Sequence, residues 1–193
     1  MKKSSIAASL PALFCAGFVV APANAAGYSV RGSVPQICSV ELPTLLTDKP
    51  AINVNGLNGS TLMIAELTDP TNLSTRAASF GVGFSAVCNY AHRIVVESQN
   101  NGLWRDAPTP VPAGFADAIP YTVTLTWGDV NTTFQADAAT QRIADFSVSV
   151  GHATEGQIGL FMQILPGASN AQAFAPLLAG IYRDTIRVTV EPQ

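Results

Sequence analysis

An all-β fold is predicted by three features of the sequence. Hydrophobic residues recur with a period of two in short runs, those runs are rich in Val, Ile, Phe, Thr and Tyr, and Gly, Asn and Pro punctuate the gaps between them. Eight such runs in a chain of 193 residues suit antiparallel strands in a sandwich or barrel.

The first run, residues 28–34, alternates Tyr28, Val30, Gly32 and Val34 with other residues. A second, 37–42, carries Cys38. Residues 45–78 hold only weak strand patterns, and Leu-Met-Ile-Ala-Glu-Leu at 62–67 reads as a helical turn or an irregular excursion, so this stretch is an insertion between core strands. Runs at 79–87, 92–97, 121–127, 146–150 and 157–165 follow, each of strand length. Asn55-Gly56, Asn58-Gly59 and Asn101-Gly102 favour the positive φ of tight turns. Pro108, Pro110, Pro112 and Pro120 mark 107–120 as a surface connection, because proline cannot donate to a sheet ladder. The last run, 182–190, sets Tyr182, Ile186, Val188 and Val190 against Arg183, Arg187 and Thr189, with Asp184 and Thr185 interrupting. Only residues 191–193 follow it here, so its far edge is expected to lack an in-chain partner. An unpaired edge, with a spare alternating segment at the other end of the chain, points to assembly by strand exchange.

Residues 1–25 read as a cleaved secretory signal peptide: Lys2 and Lys3 precede an apolar stretch ending in Ala23-Asn24-Ala25. Pro11 and the shortness of that stretch argue against a spanning helix, so no membrane anchor is expected in the mature chain. Cleavage after Ala25 leaves one domain's length of chain with 8 basic and 13 acidic residues, a net charge of −5. Nucleic acid and anionic membranes recruit basic patches, so neither is expected as a partner. Charged residues make up only 12% of the chain and hydrophobic ones 48%, a balance suited to a surface largely covered by neighbours.

With Cys15 removed, Cys38 and Cys88 remain, and an even pair in an oxidising compartment is most simply one disulfide. Closing that loop stabilises the fold by roughly 4 kcal/mol in the chain-entropy model. The rival use, a metal site or catalytic thiol, has only His92 nearby, four residues after Cys88.

Motifs for catalysis are lacking. Gly81-Val-Gly83-Phe-Ser-Ala86 has the spacing of a dinucleotide fingerprint but sits inside a strand-like run instead of opening a helix. His92 and His152 belong to no metal-ligand motif and read as exposed histidines in strands or loops. No nucleophile elbow occurs. Asp129, Asp137 and Asp145, eight residues apart, read as turn and loop aspartates. The Asn-x-Ser/Thr matches at Asn58, Asn72 and Asn131 are discounted because the leader looks bacterial. Trp104 and Trp127 suit either sugar stacking or the core. No enzyme, cofactor or metal is expected.

The closing Ala179-Gly-Ile-Tyr-Arg-Asp-Thr-Ile-Arg-Val-Thr-Val190 resembles the end of chaperone-usher pilins, especially the spore coat protein U-like domain of archaic, Csu-type pili. The start is similar too, with an alternating segment before Ile37-Cys38-Ser39-Val40, and so is Val87-Cys88-Asn89 ahead of Arg93-Ile-Val-Val-Glu97 and the Asn101-Gly102 turn. The likeness covers both ends and the cysteine frame; the middle of the chain departs from it. It implies an incomplete immunoglobulin-like β-sandwich lacking its final strand and completed by donor-strand exchange. Residues 26–36 would be the donor segment, inserting Tyr28, Val30 and Val34 with Gly32 where a small residue is wanted, and 37–193 would be the pilin-like domain. Tyr182, Ile186, Val188 and Val190 would edge the acceptor groove, which is also the chaperone-binding edge, and Cys38 with Cys88 would pin the first strand to the second. The partners implied are a periplasmic chaperone, an outer-membrane usher and neighbouring subunits, on a surface pilus serving adhesion and biofilm formation. Residues 28–34 have a second possible use, as the domain's own first strand, which would leave no donor and place the chain at a tip or termination position. The competing function is a complete, monomeric binding sandwich or adhesin.

Overall fold

The structure is a computed structural model describing residues 28–107 and 110–193. The expected leader, 1–25, lies outside these residues, as do residues 26 and 27 and Pro108 of the proline-rich connection. Among the described residues every helix or strand is a strand: β1 (Cys38–Val40), β2 (Thr44–Leu45), β3 (Val54–Asn58), β4 (Thr61–Ile64), β5 (Ala78–Cys88), β6 (His92–Ser98), β7 (Leu103–Arg105), β8 (Ala118–Ile119), β9 (Tyr121–Trp127), β10 (Val130–Ala136), β11 (Ala144–Val150), β12 (Thr154–Ile164), β13 (Tyr182–Arg183) and β14 (Ile186–Pro192). All lie in the unit Pro35–Gln193.

The largest sheet runs β1-β5-β12-β9-β10, with β2 also on β5. A second runs β11-β6-β14, a third β13-β7-β8, and β3 and β4 form a separate hairpin. Every strand pair is antiparallel. One core joins the first two sheets: Val123, Leu125, Ile158 and Leu160 from one, Ile94 and Val96 from the other. That layering is consistent with a β-sandwich. Phe134 of β10 and Phe146 of β11 stack with ring centroids 6.3 Å apart, closing one side.

The glycines of the would-be dinucleotide fingerprint serve packing. A Cβ on Gly83 would stand 2.6 Å from Leu46 Cδ2, and one on Gly81 would stand 2.9 Å from Leu46 Cβ, so β5 is bare where the chain after β2 crosses it.

Several expectations need correction. Residues 28–34 form no strand. The insertion holds a hairpin rather than a helical turn: Asn58 pairs with Thr61 around Gly59, whose φ is 59°, and Gly56 sits at a register shift. Asp129 does lie, as expected, in a tight turn between β9 and β10, where Trp127 pairs with Val130. Asp145 lies on β11 rather than in a loop. The run 182–190 is two strands in two sheets, β13 on β7 and β14 on β6, with the chain changing sheets at Asp184 and Thr185. His92 is fully buried rather than exposed.

Candidate functional site

The second sheet buries its central strand and leaves its last one half covered. On β6, His92, Ile94, Val96 and Ser98 are 0% exposed. Directly beside them, in register, β14 sets Ile186 against Ser98, Val188 against Val96 and Val190 against Ile94, and all three are only half-buried. Burial follows from neighbours: β6 is flanked on both edges, whereas β14 pairs with β6 alone among the described residues. In an antiparallel ladder alternate backbone groups of such an edge strand point away from its partner. The inner face of β5 is uncovered in the same way, since Val82 and Phe84 are half-buried between the buried Phe80 and Ala86.

Together these surfaces form a groove of about 560 Å³. Its floor is Phe80, Val82, Phe84, Val123, Leu160 and Met162; one wall is the start of β14, including Ile186 and Val188. Leu57, Leu62 and Ile64 of the β3–β4 hairpin, with Pro43, line the other side. The lining is largely apolar, with Ser60, Thr61 and Thr185 among its few hydroxyls. Full burial of one Val or Ile side chain contributes about 1.5 to 3 kcal/mol, so each half-covered side chain here retains a sizeable driving force for a covering segment.

Asp184 anchors β14 at the mouth of this groove. Its carboxylate accepts hydrogen bonds from Ser98 Oγ (2.6 Å), the Asn100 N–H (3.0 Å), the Gly102 N–H (3.3 Å), its neighbour's Thr185 N–H (2.7 Å) and the Tyr121 hydroxyl. Burial, reinforced by the Asp184 charge, pushes the Tyr121 phenol well above the usual tyrosine value. The Asn101-Gly102 turn that presents these amides has φ of 55° and 138°, as its dipeptide predicts. On the outer face Arg187 opposes Glu97 and Glu191 opposes Arg93, both as ion pairs. Such exposed pairs contribute about 0 to 1 kcal/mol each and mainly hold register.

Of the residues expected to edge the groove, Ile186 and Val188 line it. Val190 packs on the core from the same face farther along β14. Tyr182 does not line it: Tyr182 belongs to β13, where its hydroxyl donates to the Leu178 carbonyl at 2.8 Å and burial pushes its pKa up to about 12. The expected donor residues lie outside every strand, and Tyr28, Val30, Gly32 and Val34 are all exposed. The Cys38–Cys88 disulfide is formed and ties β1 to the end of β5. Trp127 is core and unavailable to a sugar. The β3–β4 contribution was missed by sequence reasoning, although Asn58-Gly59 between Leu57 and Leu62 was the signal for it.

No family model, curated protein or solved structure matches the chain.

Proposed function

We propose that this chain is a structural, non-catalytic subunit of a chaperone-usher surface fibre, an immunoglobulin-like sandwich that receives its missing strand from another molecule. The observation that carries this reading is the contrast between β6 and β14: fully buried inner residues on one strand, half-exposed ones on its neighbour, above an apolar groove. A strand laid along β14 would satisfy its outward backbone groups and cover Ile186, Val188, Val82 and Phe84 at once. A periplasmic chaperone would hold the groove first, an usher would direct the exchange, and the segment 26–36 of a neighbouring subunit would replace the chaperone's strand. The reading includes export behind a cleaved leader and a part in adhesion and biofilm formation.

The test is deletion of residues 28–34, followed by assembly with the cognate chaperone and usher. The shortened subunit folds with the chaperone, accepts a strand and ends the fibre. Normal polymer formation by the deletion variant contradicts the proposal. A deletion variant that cannot fold even with the chaperone also contradicts the proposal, since residues 28–34 form no strand of the folded domain.

A further inference from the structure

Besides forming a disulfide, Cys38 and Cys88 stand beside a buried histidine. Both sulfurs and a ring nitrogen of His92 lie within 4.8 Å of one another. His92 is fully buried and its ring packs on Trp127, centroids 4.6 Å apart. Its Nδ1 lies 2.8 Å from the Tyr90 carbonyl, which fixes the proton on Nδ1 and leaves the lone pair on Nε2. Nε2 is itself buried and has no hydrogen-bond partner among the described residues. An imidazole held by a backbone carbonyl through one nitrogen, with the other unengaged, is the arrangement that orients a metal-ligating histidine.

We infer that, in the dithiol form, Cys38, Cys88 and His92 make a site for one soft cation, with Zn²⁺ the best match. Two thiolates and a neutral imidazole are a donor set that zinc accepts with a fourth position left to water, and half-buried Cys38 gives that position access to solvent. Zinc also cancels the charge of two thiolates, so the buried complex is neutral. Zinc lies ~2.3 Å from sulfur and ~2.1 Å from nitrogen, distances that three atoms within 4.8 Å of one another can meet around one ion once the S–S bond is open. The cysteines stay together without that bond. They are direct partners in the β1–β5 ladder with Cα atoms 4.2 Å apart. Asn89 also clamps the approach to β1, accepting from the Ile37 N–H and donating to the Pro35 carbonyl, both at 2.8 Å.

Metal and disulfide exclude each other. A freshly exported chain carries two thiols, and zinc binding releases their two protons. A small-molecule disulfide then takes two electrons from the thiolates and two protons from water, leaving as two thiols, while the S–S bond forms and Zn²⁺ departs. The site therefore guards the cysteines before oxidation.

The chain, expressed from residue 1 and purified as the host processes it, is reduced with a phosphine without oxygen and titrated with Zn²⁺ against a chromophoric chelator. The reduced chain takes up one zinc and the oxidised chain none. His92→Phe and His92→Asn, each checked for folding in the oxidised form, raise the zinc Kd by at least the roughly 10- to 100-fold that losing a mere orienting partner of a ligand costs. Co²⁺ in the unaltered reduced chain gives tetrahedral thiolate bands, and zinc protects both thiols from alkylation. No zinc uptake, uptake unaffected by both His92 variants, or cobalt spectra without thiolate bands overturns the inference.

Discussion

The buried hydroxyl of Tyr121 donates its hydrogen bond to the carboxylate of Asp184, joining the start of β9 in one sheet to the point where the chain enters β14. Asp184 interrupts an otherwise regular alternation because it serves this junction. The same carboxylate takes up Ser98 and two backbone N–H groups of the Asn100–Gly102 loop, leaving them few other partners.

Asp184→Ala therefore strands several buried donors at once. Each hydrogen bond to a charged group is worth about 1.5 to 3 kcal/mol, so the loss should exceed about 3 kcal/mol in urea unfolding. Asp184→Asn keeps acceptor capacity and should cost less than the alanine variant. Equal stability of Asp184→Ala and the parent would contradict the anchoring role.

Stability should fall on the alkaline side. The Tyr121 phenol has a raised pKa in the folded chain, so its contribution is fully present below the unfolded value near 10 and is lost as pH rises above it. Melting temperatures measured from pH 8 to pH 11 should decline more steeply for the parent chain than for Tyr121→Phe. Parallel curves would count against a buried, hydrogen-bonded phenol.

Neighbouring positions on one face should respond differently to the same substitution. Val96→Asp buries an unpaired charge and should unfold the domain, costing about 4 kcal/mol or more. Val188→Asp stands at the groove, where water reaches the carboxylate, and should cost about 1 kcal/mol while abolishing strand capture. Thermal melts of the isolated variants, paired with a strand-binding assay, check both halves.

The strands that pack on both sides or alternate cleanly were legible in the sequence. Residues 121–127 appear as β9 with unchanged bounds, and 92–97 as β6 with one residue added. β10 was missed although Val130, Thr132, Phe134 and Ala136 alternate, because the flanking aspartates and the Thr/Ala/Gln composition read as loop; Asp137 is in fact held below the usual carboxylate value by the Ala139 N–H and the Asn101 amide. The division of 182–190 was only hinted at: Asp184 and Thr185 interrupt the alternation at the break, but that the chain changes sheets there is set by tertiary hydrogen bonds to Tyr121 and Ser98. The groove was half legible. The alternation that places Ile186 and Val188 on one face can be read along the chain, but the hairpin wall formed by Leu57, Leu62 and Ile64 depends on where a long insertion folds back. The four-residue spacing of Cys88 and His92 was visible in the sequence, but that Cys38 joins them, and that His92 is buried on the second sheet, was not.

The most direct measurement is the melting temperature of the purified chain with a strand supplied in trans. A peptide of residues 26–36 at 100 times its Kd should add about 2.7 kcal/mol of stability. For a domain of this size that is a rise of roughly 5 to 10 °C. The same segment fused after Gln193 through a flexible linker should do at least as well, and a Val30→Asp peptide should lose most of the effect by burying an unpaired charge. An isolated subunit that is already stable and monomeric, with a melting point unmoved by peptide or fusion, would contradict strand exchange and favour a complete binding sandwich.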